Sequence, residues 1–158
     1  MPVDSGILNK KRKMKKKILV IDFTDDFDRF YEYLSSKYEI IRPERQKLAD
    51  MLVSECKGAL VLECDKVVEF VSNSDADLII IDSCFQLFME SSDESCGNGF
   101  ILAKLVAKKN PDKKMICITI HPVYVGRSGF GFLNTIYGGA LSDYHVNECV
   151  ISRIIDSS

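Results

Sequence analysis

The fold of this chain is decided by two short stretches, ILVID at residues 18–22 and LIIID at residues 78–82. In each of them, four consecutive aliphatic residues precede an aspartate. Segments that are apolar at every position are typical of central strands in a parallel sheet, because such strands are buried on both faces. We therefore predict two central parallel strands, each with an acidic residue at its carboxyl end.

A third apolar stretch, MICIT at residues 115–119, ends on a hydroxyl instead of an acid. Ligands of open α/β sheets collect at the carboxyl ends of the strands. If the three strands are neighbours, Asp22, Asp82 and Thr119 converge on one cleft. Two carboxylates beside a hydroxyl are suited to a cation or to a phosphoryl group, so we take these three residues as the candidate site.

The composition is that of one globular domain without a membrane segment. The chain has 158 residues, of which 46% are hydrophobic and 28% charged. No apolar stretch approaches the roughly 20 residues of a membrane helix, and the N-terminus lacks the apolar core of a signal peptide. The six cysteines include no C-x-x-C pair, and there are two histidines. We expect reduced thiols, a cytoplasmic location and no zinc site.

The charge is divided unevenly along the chain. Residues 1–17 carry a net charge of +6, although the whole chain carries −2. We predict a basic, flexible N-terminal tail over residues 1–14 and one domain over residues 15–158. A basic arm that binds nucleic acid is the alternative interpretation. We consider it the weaker one, because the basic stretch is short and contains no aromatic residues.

The remaining segments alternate between helical and strand patterns, which predicts an α/β fold with a mainly parallel sheet. Predicted helices, each with apolar residues at helical spacing, span 27–38, 46–56, 100–109 and 132–137, with two more beginning at Asp65 and after residue 146. Further strands are predicted at 39–43 and 140–146. Residues 59–62 remain open between an extra strand and a helix.

The order of these features resembles the receiver domain of two-component response regulators. A strand ends on Asp22, a second on Asp82 and a third on Thr119, and the segment GALSDY at residues 139–144 follows. The resemblance spans about residues 15–158 and implies a flavodoxin-like, doubly wound sandwich with a five-stranded sheet and helices on both faces. It further implies that Asp82 is the phospho-acceptor, that Asp22 and Asp82 help hold Mg²⁺, that Thr119 contacts the phosphoryl group and that Tyr144 is the switch aromatic of the fifth strand.

Two positions depart from the receiver pattern. Receivers usually carry two consecutive acids after the first strand, but Phe23 follows Asp22 here. The lysine expected three residues after the switch aromatic is replaced by Asn147. Substitutes for the missing groups are Asp25 or Asp26 for the acid and Arg127 for the positive charge. Because hard-cation affinity follows ligand charge, we expect weakened Mg²⁺ binding.

Three functions follow from this pattern. The leading hypothesis is a divergent receiver-like signalling domain that acts through protein contact, with phosphorylation at Asp82 weakened or lost. Its partner would be a histidine kinase, a downstream protein or a second copy of the chain, docked around Tyr144, since no output domain follows the last helix. The second hypothesis is a working Mg²⁺-dependent phospho-receiver, whose only catalysis is its own phosphorylation. The third is a small flavodoxin-like enzyme or ligand-binding module that uses the same cleft.

Overall fold

A five-stranded parallel sheet forms the centre of the computed structural model, which describes residues 14–82, 98–119, 134–137 and 141–157. Its strands are β1 (Lys17–Ile21), β2 (Glu39–Ile41), β5 (Leu78–Asp82), β6 (Met115–Thr119) and β7 (Asn134–Tyr137). They lie in the order β2-β1-β5-β6-β7, with every neighbouring pair parallel. With the separate hairpin at residues 53–62 set aside, this is the flavodoxin-like strand order, in which the order of the strands across the sheet reverses between β1 and β5. The predicted fold class is confirmed.

Within the described residues, five helices flank the sheet on its two faces. They are α1 (Asp28–Leu34), α2 (Arg45–Leu52), α3 (Asp65–Ser72), α4 (Asn98–Lys109) and α5 (Tyr144–Asp156). Helices α1 and α5 share one core cluster with the even-numbered residues of β1, β5 and β6. Helices α2, α3 and α4 share the other cluster with the odd-numbered residues of β1, β5 and β6. The uniform aliphatic character of the central strands follows from this arrangement, because each face has its own layer of helices to pack against.

The predicted helix over residues 46–56 is too long. Helix α2 ends at Leu52, and the chain then forms an antiparallel hairpin from β3 (Val53–Cys56) and β4 (Ala59–Leu62). The turn residues Lys57 and Gly58 have φ angles of 53° and 77°, the pair of positive values that two-residue hairpin turns of type I′ require. Residues 59–62 are therefore a strand. The hairpin is a separate two-stranded sheet and does not widen the central one.

The predicted helix over 132–137 and strand over 140–146 are both wrong. Residues 134–137 form β7, and residues 141–143 form a short 3₁₀-helix that leads into α5. A four-residue run that includes threonine, isoleucine and tyrosine fits a strand, but so short a run also fits helical spacing. Helix α5 begins at Tyr144, and its buried residues recur every three or four positions, as one face of a helix requires: Tyr144, Asn147, Ile151 and Ile155.

Some predictions fall outside the described residues, or partly so. The basic tail is described only from Met14 onward, so its flexibility and its role stay predictions. Arg127 lies in a segment that is not described. Among the described helices, none is long and apolar enough to cross a membrane.

Candidate functional site

Four neighbouring strands bring polar side chains to the carboxyl edge of the sheet. Arg42 follows β2, Asp22 follows β1, Asp82 ends β5 and Thr119 ends β6. The register pairs Ile21 with Ile81 and Asp82 with Ile118, which sets Asp22 level with Asp82. The structure thus brings the predicted residues Asp22, Asp82 and Thr119 together at the point where the strand order reverses, which is the usual ligand position of this fold.

The three predicted residues are buried polar groups. Asp22 is 3% exposed, Asp82 is 1% exposed and Thr119 is fully buried. Transfer of a carboxylate from water into a protein interior is costly unless hydrogen bonds or a positive charge compensate for the lost hydration. The neighbours of these two aspartates therefore determine what the cleft can do.

Thr24 joins the two aspartates. Its hydroxyl oxygen lies 3.3 Å from Asp22 Oδ1 and 3.3 Å from Asp82 Oδ2, and its backbone N–H donates to Asp22 Oδ1 at 2.9 Å. A hydroxyl has a single hydrogen to donate, so it can serve only one of the two carboxylates at a time. Thr24 holds the pair in place without supplying any charge.

Arg42 supplies the positive charge beside Asp22. Its Nη2 lies 3.5 Å from Asp22 Oδ2 and 2.8 Å from Asp28 Oδ1. The guanidinium also lies over the ring of Tyr31, with Cζ 4.8 Å from the ring centroid. Sequence reasoning missed both Thr24 and Arg42. The available signal for Arg42 was its place at the end of a parallel strand, which puts it on the same edge as the two aspartates.

Burial raises the pKa of Asp22 above its ordinary value of 3.8, while the Thr24 N–H, the Arg42 guanidinium and a hydrogen bond with the Asp82 side chain act in the opposite direction. The pKa of Tyr31 is also raised, well above its ordinary value of 10, mainly by burial and then by the charges of Asp22 and Asp82. The Tyr31 hydroxyl is buried and has no hydrogen-bond partner among the described residues. The cleft therefore favours the protonated form of the Tyr31 phenol.

The described residues supply fewer carboxylate ligands for Mg²⁺ than the receiver pattern does. Mg²⁺ prefers oxygen ligands in octahedral geometry, and the two aspartates are ligands of the right kind. However, Phe23 packs against the hydrophobic core on the side of α2, α3 and α4, and Asp25 and Asp26 are exposed. Within the described part of the chain, no group of three His, Cys, Asp or Glu residues is placed to hold a metal ion. Arg42 already contacts the carboxylate of Asp22.

The prediction that Tyr144 lies on the fifth strand is wrong. Tyr144 opens α5, where it is buried against Phe30, with the ring centroids 5.1 Å apart. In the register of β6 and β7, the residue paired with Thr119 is Tyr137. Asn147 is a buried residue inside α5 and does not cap it, so its comparison with the receiver lysine fails as well. A substitution at Asn147 would therefore act on a buried helix position.

A cavity of about 240 Å³ opens beside Asp22. Its lining is mostly polar and comprises Val20, Asp22, Arg42, Pro43, Glu44 and Arg45. This lining contains two acidic residues, Asp22 and Glu44, and two arginines, Arg42 and Arg45. The cavity therefore has no strong excess of positive or negative charge.

Several solved structures share this architecture. Response regulator TrrA of Thermotoga maritima, in a complex with Mg²⁺ and BeF, matches with a TM-score of 0.54 at 20% identity, over 87% of this chain and 97% of that chain. A response regulator receiver protein of Sinorhizobium medicae matches with a TM-score of 0.53 at 12% identity, over 92% and 97% of the two chains. A CheY-like receiver domain of Methylobacillus flagellatus matches with a TM-score of 0.52 at 14% identity, over 90% and 99%.

No protein-family model matches the sequence, and no curated protein matches it significantly. At identities of 12–20%, the structural matches show a shared fold. The chain therefore has a receiver-like, flavodoxin-type α/β fold, as its sequence predicts.

Proposed function

We propose that this protein is a receiver-like signalling domain that acts through protein contact and whose Asp82 is not readily phosphorylated. The proposal is supported above all by the burial of Asp82 and by the guanidinium that already contacts Asp22. Asp82 is 1% exposed, and Asp22 beside it already contacts a guanidinium. The partner would be a signalling protein, either a histidine kinase or a downstream protein.

The chemistry of phosphoryl transfer supports the proposal that Asp82 is not readily phosphorylated. A carboxylate that accepts a phosphoryl group must be accessible to the donor, and the charge that develops during transfer must be stabilised, usually by a divalent cation. Asp82 is buried and the described residues lack a third acidic ligand, so both requirements are poorly met.

The start of α5 is the surface we propose for protein contact. Leu141 and Val146 are 76% and 60% exposed, although both are large aliphatic residues. They flank Tyr144, which is buried against α1 through Phe30. Large apolar side chains that are exposed on both sides of one buried residue in the chain are candidates for contact with a partner. A second copy of this chain is one partner that this surface could take.

Two alternative functions have specific observations in their favour. The adjacent positions of Asp82 and Thr119, at the ends of neighbouring strands, support a working phospho-receiver. The cavity beside Asp22 supports a ligand-binding module.

For the location, we propose the cytoplasm, because Cys56, Cys64, Cys117 and Cys149 are free thiols.

Incubation with acetyl phosphate and Mg²⁺, followed by intact-mass spectrometry, tests the proposal. We expect no phosphorylated species of the wild type within the time that fully labels a receiver domain that accepts a phosphoryl group from acetyl phosphate, run in parallel as a positive control. The Asp82→Asn variant defines the background. Rapid, stoichiometric labelling that disappears in Asp82→Asn would favour the phospho-receiver over our proposal.

A further inference from the structure

Arg42 is held at the rim of the cleft by three different contacts. Its guanidinium forms a close ion pair with Asp28 at 2.8 Å and a longer one with Asp22 at 3.5 Å. On another side it lies over the ring of Tyr31, 4.8 Å from the centroid. The Arg42 side chain is 29% exposed, whereas that of Asp22 is 2% exposed. A planar guanidinium with both carboxylate and aromatic neighbours is fixed in direction as well as in place.

A divalent cation bound to Asp22 would need the position that the Arg42 guanidinium occupies. A metal ion coordinated by Asp22 and Asp82 must approach oxygens of both carboxylates. At Asp22, Oδ1 accepts the N–H of Thr24 and Oδ2 faces Arg42. A cation bound there would either displace the guanidinium or lie close to its positive charge, and both reduce affinity.

We propose that Arg42 is, among the described residues, the resident cation of this cleft and that it keeps divalent cations away from Asp22. The guanidinium takes the charge-compensating role for which a metal ion would otherwise be required. This inference concerns the charge balance of the cleft alone. It does not depend on the proposed signalling role, and the experiment for it involves no phosphoryl transfer.

Arg45 provides a matched control for this inference. It lies three residues from Arg42 and lines the same cavity. Its Nη2 pairs with Asp28 at 3.2 Å, on the same carboxylate that Arg42 contacts. Substitution of Arg45 therefore removes one positive charge and one ion pair to Asp28. The direct guanidinium contact with Asp22 remains in that variant.

Titration of the folded proteins with Mg²⁺ by isothermal calorimetry tests the inference, with Mn²⁺ as a second probe. The variants are Arg42→Met, Arg45→Met and the double variant Arg42→Met/Asp22→Asn. Methionine keeps an unbranched apolar stem against Tyr31 and removes the charge. We expect Arg42→Met to bind Mg²⁺ at least tenfold more tightly than wild type does. Arg45→Met should behave like wild type, and the double variant should lose the gain.

Two outcomes would overturn the inference. One is that wild type binds Mg²⁺ as tightly as Arg42→Met does. The other is that Arg45→Met gains as much affinity as Arg42→Met, since the effect would then be one of general charge. If Arg42→Met does not fold in buffer, its refolding with millimolar Mg²⁺ is compared with refolding in KCl of equal ionic strength. Folding rescued by Mg²⁺ alone would support the inference, and no rescue by Mg²⁺ would contradict it.

Discussion

Replacement of Asp82 by asparagine should stabilise the fold. The Asp22 and Asp82 oxygens that face Thr24 are each 3.3 Å from its hydroxyl oxygen, so they can be no farther apart than twice that distance. Two unit charges at about 6 Å with an effective dielectric constant of about 20 repel each other by roughly 3 kcal/mol. Arg42 offsets part of this repulsion. Asparagine keeps the shape of the Asp82 side chain and carries no charge. If both aspartates are ionised in the wild type, the substitution removes their repulsion; if one of them is protonated, it removes the free-energy cost of that protonation.

We expect a net gain of about 1–2 kcal/mol in the free energy of unfolding, which corresponds to a rise of roughly 3–6 °C in Tm for a domain of this size. Urea denaturation at pH 7 with linear extrapolation measures this difference. The matched control is Asp22→Asn, which removes the same repulsion but also breaks the contact with Arg42. Its gain should be smaller than that of Asp82→Asn by about 1 kcal/mol, the worth of one charged contact.

The gain from Asp82→Asn should also depend on pH. The pKa of Asp22 is raised in the folded state above 3.8, so the stability linked to its protonation is fully present below pH 3.8 and is lost as pH rises through the folded-state value. The advantage of the variant should therefore be largest at neutral pH and shrink toward pH 4. A destabilised Asp82→Asn, or a gain that is the same at both pH values, would refute the reasoning.

Three further predictions concern other groups. Tyr31→Phe should raise the free energy of unfolding by about 1 kcal/mol, because the buried hydroxyl has no partner among the described residues; a loss in urea denaturation would contradict this. Burial first, and the charge of Asp82 second, raise the pKa of the Cys117 thiol to about 12. A thiol reagent at pH 8 should therefore label Cys117 only after unfolding, whereas the exposed Cys149 should react in the native protein. Equal labelling rates of the two cysteines in the native protein would contradict this. Val146→Lys should weaken concentration-dependent self-association in sedimentation velocity without a change in Tm, and an unchanged dimerisation constant would remove this surface from the proposal.

The central strands and the two aspartates could be predicted from sequence for a simple reason. Residues 78–81 are apolar at every position, and a short run of β-branched and aliphatic residues of this kind is typical of a strand covered on both faces. The parallel arrangement then fixes which end of each strand meets the others. Asp22, Asp82 and Thr119 follow from that rule without any knowledge of their side-chain contacts.

Residues 134–137 and 141–146 are assigned to the wrong elements from sequence, because so short a segment fits the spacing of a helix as well as that of a strand. Residues 134–137 fit a helix turn as well as a strand, and the choice depends on pairing with β6, which is far away in sequence. Tyr144 was consequently assigned to the wrong element. The hairpin at residues 53–62 was a milder failure, since the Lys57-Gly58 pair was a readable turn signal.

Arg42 and Thr24 were missed for a different reason. A long arginine side chain can reach several partners, and its actual contacts with Asp22, Asp28 and Tyr31 exist only after three separate segments have packed together. In sequence it appeared only as the residue before a proline that ends a strand. The charge balance of the cleft is thus a tertiary property, whereas the positions of its acids are already visible in the pattern of the strands.

The central claim is that charge in the Asp22–Asp82 cleft is balanced within the protein, so that Asp82 does not serve as a phosphoryl site. Binding of beryllofluoride with Mg²⁺ tests it most directly, followed by ¹H–¹⁵N NMR of the wild-type protein at the amides of residues 22–24, 82 and 119. We predict no saturable shift of these amides at millimolar Mg²⁺ and beryllofluoride. Saturable, Mg²⁺-dependent shifts centred on Asp82 and Thr119 would contradict it.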